Sequence, residues 1–247
     1  MDRLIYIAMN GAKHSMYQQA VTAHNLANVS TTGYKAEANS FRALPVLGDG
    51  AQTRTFVVDS TTGADLSLGA IQSTGRDLDV AVQGKGWIAV QAADGSEAYT
   101  RDGSLQIGAN GLLQTRNGLD ILGDGGPIAV QPDAEITIGK DGTISVIPMG
   151  QTPNTVATVG RLKLVNPPEA ELVKSDDGLF RLKSGMPAPA DASVGLMQKS
   201  LETSNVNVVD ALVSMIDLSR QFDMQMKLLQ SAETNAGKAS QLMNLNA

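Results

Sequence analysis

Apolar and small residues recur at spacings of three and four along both ends of the chain, whereas the middle alternates short apolar runs with glycine-rich turns. The first spacing is typical of an α-helix with one covered face, and the second of short β-strands. All nine prolines fall between Pro45 and Pro189, so residues 1–44 and 190–247 lack the residue that most disrupts a helix interior. The pattern therefore predicts an α+β fold with helical ends and an all-β centre.

The N-terminal pattern predicts one α-helix of about 25 residues that starts near Leu4. Its predicted stripe of apolar or small residues consists of Ile5, Ala8, Ala12, Met16, Ala20, Ala23 and Ala27. Most of these residues are alanines and Gly11 lies beside them, so the face is flat. A flat face allows a neighbouring helix to approach closely, and we expect this helix to be paired.

The C-terminal pattern predicts a second helix, in which Asn207 is the N-cap and Asp210 lies in the first turn. Its predicted apolar face consists of Val209, Leu212, Val213, Ile216, Phe222, Met226 and Leu229. We expect Gly237, near the end, to interrupt this helix.

Two arrangements of the ends fit this periodicity, and both can hold at once. The helices can pair with each other in a coiled-coil-like manner and cap the β region, or they can pack against copies of themselves in other subunits. Ordering each backbone residue costs ~1 to 2 kcal/mol, which isolated helices in water rarely recover. We therefore expect the ends to be mobile in a free monomer and ordered in an assembly.

The middle of the chain predicts an antiparallel meander that extends to about residue 200. Asp-Gly and Asn-Gly pairs mark turns at 94–95, 102–103, 117–118 and 141–142. The predicted strands are 78–83, 87–91, 104–107, 112–115, 136–138, 143–147, 159–165 and 179–182. Residues 31–75 are expected to form an extended connector with at most two strands. The predicted domains are thus a discontinuous helical domain (1–30 and 205–247), the connector (31–75) and the β-rich domain (76–204).

Composition narrows the function classes. The formal net charge is -6 and there is no block of lysine and arginine, which argues against nucleic acid as a partner. Cysteine is absent, so disulfides, thiolate metal sites and cysteine nucleophiles are excluded. The opening residues carry an acid where a secretory signal needs positive charge, and no stretch approaches the ~20 apolar residues of a membrane span.

Candidate chemistry in the sequence is weak. The glycines of 84–86 loosely match a dinucleotide fingerprint, but the residues after them favour a strand rather than a helix, so we predict a hairpin turn. Asp77 and Asp79 are two apart and are expected to point the same way beside a polar turn, without acid–base work. His14 and His24 match no zinc spacing. We predict no catalytic residue, no cofactor site and no metal site, and hence no enzyme.

Residues 23–36, AHNLANVSTTGYKA, resemble the signature of bacterial flagellar rod and hook proteins. Three further segments resemble the same family, in the same order along the chain: 78–87, 99–104 and 204–207 with the helix that follows. The sequence departs from the family pattern at His24 and Tyr34, where asparagine and phenylalanine are common. Both changes keep a polar or an aromatic character.

The resemblance assigns two groups of residues. The family motif consists of Asn25, Leu26, Ala27, Asn28, Thr31, Thr32, Gly33, Tyr34 and Lys35. Its asparagines are expected to cap the helix end, and the Thr-Thr-Gly run to turn the chain outward. The expected assembly interface consists of Ile5, Ala8, Ala12, Met16, Ala20, Val209, Leu212, Val213, Ile216, Phe222, Met226 and Leu229.

The resemblance implies a structural subunit of the flagellar basal-body rod, a helical tube in the periplasm that transmits torque. The opening residues 1–6 and the modest length are more similar to a proximal than to a distal rod subunit, and the distal subunit is the alternative. The implied partners are other copies of the chain, neighbouring rod proteins and the flagellar type III export apparatus, which leaves the N-terminus uncleaved. The rival from another class is a self-contained β-rich binding protein or enzyme with a helical hairpin attached.

Overall fold

The computed structural model describes residues 3–45, 55–131, 134–148 and 157–244. The described residues form two compact units. The helical unit draws on 1–27, 37–65 and 206–247, and the β unit on 28–36 and 66–205. Parts of the predicted helical domain and connector, namely 1–2, 245–247 and 46–54, lie outside the described residues. The predicted three-domain division stays a prediction.

The described residues of the helical unit form two helices and two strands. They are α1 (Arg3–Ala27), β1 (Glu37–Pro45), β2 (Thr55–Ala64) and α2 (Val208–Asn244). The 25 residues of α1 confirm its predicted length. The predicted cap of α2 is also confirmed, because Oδ1 of Asn207 accepts the backbone N–H of Val209 at 3.0 Å. The expected interruption at Gly237 is wrong, since one interior glycine costs only ~1 kcal/mol in a helix.

The pairing of α1 with α2 confirms that the two ends of the chain meet. On α2 the half-buried positions alternate between spacings of three and four, as in a heptad repeat. On α1 more than one face is covered, because β1 and β2 also contact this helix, and one heptad stripe contains its buried residues Ala8, Ala12 and Ser15. The two stripes are Ile5, Ala8, Ala12, Ser15, Gln19, Thr22 and Leu26 on α1, and Ala211, Met215, Leu218, Phe222, Gln225, Leu229 and Ala232 on α2. The helices run antiparallel, because Gly11 lies beside Gln225 and Thr22 lines the same groove as Ser214. We call these positions the inner seam.

Part of the predicted α1 stripe lies off the inner seam. Ala8 and Ala12 are buried, whereas Met16, Ala20, Ala23 and Ala27 are exposed in the chain. Steps of four residues advance by 400°, so a run such as 8, 12, 16, 20 drifts 40° around the helix at each step. Alternating steps of three and four cancel this drift, and the seam therefore passes through Ser15 and Gln19 instead.

The strands β1 and β2 form an antiparallel ribbon that contacts α1. His14 Nε2 lies 2.7 Å from the backbone oxygen of Val57, and Oδ1 of Asn10 accepts the Val57 N–H at 3.2 Å. The His14 ring meets Phe41 edge to face at 5.4 Å. An isolated two-stranded ribbon is marginal in water, so these contacts with the helix supply stability that the ribbon lacks alone.

The β unit consists of short strands joined by tight turns, with one 3₁₀ turn at Glu169–Glu171. The strands are β3 (Ile71–Ser73), β4 (Val80–Gln83), β5 (Trp87–Gln91), β6 (Glu97–Thr100), β7 (Leu105–Ile107), β8 (Leu113–Thr115), β9 (Leu122–Gly123), β10 (Gly126–Pro127), β11 (Ala134–Ile138), β12 (Thr143–Pro148), β13 (Ala157–Arg161), β14 (Leu164–Val165), β15 (Leu172–Lys174), β16 (Phe180–Leu182), β17 (Gly195–Gln198) and β18 (Ser200–Glu202).

Antiparallel pairing throughout the described strands confirms the predicted sheet type. The largest sheet has the order β14-β5-β6-β16-β15, and a three-stranded sheet has the order β11-β12-β13. Strands distant in sequence pair at β17-β4 and β18-β3, so the connectivity is not a simple meander. A continuous apolar core between the sheets includes the fully buried side chains of Ile88, Leu105, Leu113 and Ile121. This core fastens the C-terminal strands to the first ones.

Three local expectations about the β region are wrong. Residues 84–86 join β4 to β5, which lie in different sheets, so they form a corner rather than a hairpin. Asp77 and Asp79 do not share a site, because Asp77 pairs with Lys199 and Asp79 is buried and accepts from Arg76. The segment 31–75 contains three strands, one more than expected, since β3 finds its partner in β18, more than a hundred residues away in sequence.

Candidate functional site

The family motif continues from the end of α1 into the β unit. Its first asparagine, Asn25, is not a cap: its amide pairs with the backbone N–H and C=O of Glu37 at 2.8 and 2.9 Å, which holds the start of β1. Asn28 turns the chain instead. Its backbone oxygen accepts the N–H of Thr31 at 3.1 Å, and its Oδ1 accepts the Thr31 hydroxyl at 3.2 Å. We call residues 28–36, which follow the helix, the strap.

Gly33 is the point of closest approach between the strap and the rest of the β unit. It has a φ of +65°, which favours glycine, and a Cβ at this position would lie 2.3 Å from the backbone carbon of Arg101. Its N–H donates to the backbone oxygen of Glu202 at 2.8 Å. Beside it, the Thr32 hydroxyl donates to Asp102 at 2.7 Å. The strap therefore seats only with glycine at this position.

Lys35 is the most deeply buried side chain of the strap, with 1% of its side chain exposed. Its Nζ donates to Oε1 of Glu202 at 2.7 Å and to the backbone oxygen of Ser67 at 2.6 Å. The same Oε1 accepts the N–H of Gly69 at 2.9 Å. Three segments that are remote in sequence thus meet at the ammonium group of one lysine.

Arg101 completes the site from the opposite side of Glu202. Its guanidinium donates to Oε2 of Glu202 at 2.8 Å and to the backbone oxygen of Gly84 at 2.7 Å. It also lies 5.3 Å from the centre of the Trp87 ring, close enough for a cation–π contact. We call Lys35, Arg101 and Glu202 the charged cluster. Three of the four motif segments reach the cluster through Lys35, Gly84 and Arg101, and Asn205 of the fourth donates to the backbone oxygen of Ser67, which Lys35 also binds.

The charged cluster holds two cations and one carboxylate, with at most 3% of each side chain exposed. Burial by itself would raise the pKa of Glu202. The hydrogen bond from Lys35, the charge of Arg101 and the Gly69 N–H outweigh burial and hold that pKa below its usual value. The carboxylate is therefore ionised at neutral pH and neutralises part of the buried positive charge.

A second buried polar group in the β unit, the hydroxyl of Tyr99, is not suited to proton transfer at neutral pH. Burial raises the pKa of Tyr99 to about 12. Its hydroxyl donates to Glu97 at 3.0 Å and accepts the N–H of Ala188 at 2.6 Å, while Lys163 pairs with Glu97 at 2.8 Å. A phenol that stays protonated at neutral pH and is held on both sides is a structural crosslink rather than a general base.

Metal and membrane chemistry receive no support from the described residues. Among them, no three histidine, aspartate or glutamate side chains converge closely enough to hold a metal ion. No helix within the described ranges combines the length and the apolar character needed to cross a bilayer.

The predicted assembly residues fall into two groups. Ile5, Ala8, Ala12, Phe222 and Leu229 lie in the inner seam, and Met16, Ala20, Val209, Leu212, Val213, Ile216 and Met226 are exposed in the chain. On α2, the exposed group is dense between Val209 and Ile216, where each side chain is 46–66% exposed. We call Val209, Leu212, Val213 and Ile216 the outer face. It is a second apolar stripe, distinct from the inner seam.

Sequence reasoning missed several residues of both surfaces. On α1, Tyr6, Met9 and Tyr17 are about half exposed and extend the apolar surface. A heptad count that separated the inner seam from the remaining faces would have found them. Arg101 lies in one of the motif segments and Glu202 lies outside all of them, and nothing in a linear pattern signals that charges about one hundred residues apart will pair.

Replacement of Gly33 by alanine tests the seating of the strap. Gly33→Ala and Gly75→Ala both place alanine at a positive φ, but nothing lies within 4 Å of a Cβ at position 75. We expect Gly75→Ala to cost ~1 to 2 kcal/mol from left-handed strain. We expect Gly33→Ala to cost ~1 to 3 kcal/mol more, because the strap must shift to relieve the overlap. Urea unfolding followed by Trp87 emission measures both. Equal midpoints for the two variants would contradict the close approach.

Replacement of Glu202 by glutamine tests the charged cluster. The variant leaves two buried cations without an anion and is expected to lose ~3 to 5 kcal/mol at pH 7. The matched control is Glu169→Gln, whose exposed pair with Lys85 is worth less than ~1 kcal/mol. Both are measured by urea unfolding. Similar stabilities for the two variants would show that the cluster contributes little.

Acid should weaken the parent chain through the same carboxylate. Because the pKa of Glu202 is lowered by folding, its stabilisation is complete above the usual value of 4.5 and is lost as the pH falls through the lower folded pKa. Urea unfolding from pH 6 to pH 3 should therefore show a steeper loss of stability for the parent than for Glu202→Gln. Parallel pH profiles would mean that Glu202 is not the group that titrates.

Three family models match the chain in order. They are "Flagella basal body rod protein" at residues 5–35, "Flagellar hook protein FlgE/F/G D1 domain" at 81–146 and "Flagellar basal body rod FlgEFG protein C-terminal" at 197–242. The first model covers most of α1 and nearly all of the strap. The second runs from β4 to β12 in the β unit, and the third covers β18 and most of α2. The matches therefore include both sides of the charged cluster.

Curated relatives match over essentially their whole length. The flagellar basal-body rod proteins FlgF of Salmonella typhimurium and of Escherichia coli are each 50% identical over 252 residues, with all of both chains covered. The flagellar basal-body rod protein FlgG of Buchnera aphidicola subsp. Schizaphis graminum is 33% identical over 261 residues, which covers 96% of this chain and 98% of the relative. With full-length identity at this level and the motif segments gathered at one buried site, the chain belongs to the family of flagellar basal-body rod proteins.

Proposed function

We propose that this chain is a structural subunit of the proximal part of the flagellar rod, in the role of the FlgF proteins. The observation that carries the proposal is the outer face, an apolar stripe left uncovered on a helix whose inner seam is already paired. Contiguous exposed apolar surface on a folded chain marks an interaction site. Support for the proximal position comes from the full-length identity of 50% to the FlgF proteins of Salmonella typhimurium and Escherichia coli.

The partners of the outer face are other copies of the chain and neighbouring rod proteins. A contact between two different surfaces, repeated by a screw operation, builds an open helical tube rather than a closed ring. The exposed residues of the two helices would supply such contacts along the tube. The ribbon of β1 and β2 would supply other contacts, because residues 42–45 at the end of β1 are exposed. A tube built from these interlocking contacts would transmit torque without any chemical step, and we infer that the chain is not an enzyme.

The route to the assembly site is the flagellar type III export apparatus, without cleavage of the N-terminus, and the site is the periplasmic rod. The absence of cysteine and of any disulfide suits passage through a narrow channel, because the chain carries no crosslink that would resist unfolding. Helices that gain most of their burial from neighbouring subunits would complete their folding on arrival. Binding free energy would then offset the ordering cost of the ends.

Charge on the outer face should block incorporation. Leu212→Asp and Ile216→Asp each place a carboxylate in the stripe, where contact with an apolar neighbour would bury it unpaired. We expect rods to lack either variant while the β unit stays folded, as judged by the emission of Trp87. Incorporation is scored by swimming and by the protein content of purified basal bodies. The matched control is Met186→Asp in the β unit, at a side chain 67% exposed. Normal incorporation of both helix variants would refute the outer face as an interface.

The purified monomer should be cleaved first at its ends. Limited proteolysis with mass-spectrometric mapping is expected to cut early within about 1–27 and 206–247 and to leave a resistant core that contains 28–36 and 66–205. The reason is that a lone monomer leaves the outer face in water, so the helices are held only by the inner seam. Resistance at both ends would instead favour the self-contained rival, in which the helices need no neighbour.

A further inference from the structure

The segments next to the two terminal helices are joined to each other inside the β unit. The strap follows α1 directly, and Asn205 stands just before α2. The N–H of Ala36 donates to Oδ1 of Asn205 at 2.8 Å, and the N–H of Asn205 approaches the backbone oxygen of Tyr34 at 3.4 Å. Tyr34 and Ala36, which follow α1, are therefore neighbours of Asn205, which precedes α2. Most of the β unit lies between them along the chain.

The charged cluster supplies the strongest grip on this junction. Glu202 lies at the end of β18, three residues before Asn205, and it accepts from Lys35 of the strap. The same residue accepts the N–H of Gly33 through its backbone oxygen. By contrast, Ser30 and Thr31 at the start of the strap are exposed. The strap is thus held from Thr32 to Ala36, and among these contacts the Lys35–Glu202 pair joins two buried charges.

We propose that the Lys35–Glu202 pair is a clasp. It holds the segment that follows α1 beside the segment that precedes α2, and it thereby raises the effective concentration of one helix for the other. The pairing of the helices along the inner seam then depends on a contact that lies outside the helices. This dependence is independent of which neighbour covers the outer face.

The expected gain follows from chain statistics. Closing a flexible loop becomes costlier as the loop lengthens, by roughly 0.6 kcal/mol for each doubling of its length. With the clasp shut, the segments next to the two helices are already side by side when the helices meet. With the clasp open, the strap becomes slack and α1 searches a larger volume, so its effective concentration at α2 falls.

The clasp also imposes an order on folding. Lys35 needs Ser67 and Glu202, and Glu202 also needs Gly69 and Arg101. These partners come together only when β18 has paired with β3 and the turn after β6 is in place. The N-terminal strap therefore cannot seat until the C-terminal end of the β unit has folded. On this proposal, stable pairing of the helices follows the completed folding of the β unit.

A disulfide between the helices measures the effective concentration directly. The chain has no cysteine, so Gly11→Cys and Gln225→Cys introduce the only thiols. A Cβ at position 11 lies 3.0 Å from Cδ of Gln225, so the two positions face each other between α1 and α2. Equilibrium with glutathione gives the effective concentration of the two thiols in the full chain. The same measurement is made with Lys35→Met added, and with Lys85→Met added as the matched control.

Lys35→Met keeps the aliphatic stem and leaves Glu202 paired with Arg101. We expect it to lower the effective thiol concentration by about tenfold, the order expected when a short anchored segment becomes slack. Lys85→Met removes an exposed lysine, 76% accessible, from a surface pair and should leave the value unchanged. The β unit should stay folded in both, with the emission of Trp87 unshifted.

An effective concentration equal to that of the parent in Lys35→Met would overturn the clasp. If Lys35→Met instead unfolds the β unit, seen as a red shift of Trp87 emission, Lys35→Gln decides the question by the same criterion. This second variant removes the ion pair with Glu202 and keeps an N–H donor for the backbone oxygen of Ser67. A fall in effective concentration with a folded β unit supports the clasp, and an unchanged value rejects it.

Discussion

The carboxylate of Glu202 pairs with two buried cations and neutralises part of their charge, and the arrangement of the β unit around the family motif depends on this interaction. Removing one member of a buried charged group is far costlier than forming the group is favourable, because the remaining charges stay out of water. Lys35 and Arg101 reach the carboxylate from segments remote in sequence, one on each oxygen. A wrong seating of the strap would leave these charges unpaired, so the cluster selects one position of the chain among many of similar apolar burial.

The helical unit depends on a different kind of contact, because its helices meet mainly through apolar and small side chains. On α2, one stripe is covered by α1 and a second stripe, from Val209 to Ile216, is uncovered. The buried residues of α1 are the small side chains Ala8, Ala12 and Ser15, so the helices approach closely there but bury little area for each residue. A pairing of this kind is adequate when a linked partner is held nearby, and it leaves the second stripe for another chain. One helix thereby serves both the fold of the subunit and its proposed assembly.

Much of this architecture could be read from linear patterns, because the relevant physics is local. Proline placement and three-four spacing gave the two helices, Asn207 marked the start of α2, and the short apolar runs between glycine turns gave about half of the strands in the β unit. Local patterns failed where a partner is distant. β3 and β18 pair across the whole β unit, the glycines of 84–86 form a corner because β4 and β5 belong to different sheets, and Asp77 and Asp79 diverge to separate cations.

The family motif shows the same division within a single site. The sequence by itself determined that residues 23–36 leave a helix, turn at a glycine and belong to the rod proteins, because helix periodicity, turn chemistry and motif identity are properties of neighbouring residues. Only the tertiary structure decided that Lys35 is buried against Glu202 and Arg101, and that Asn25 holds β1 instead of capping α1. Those outcomes depend on the desolvation of charges and on the closure of long loops, and both quantities exist only once the distant segments have been brought together.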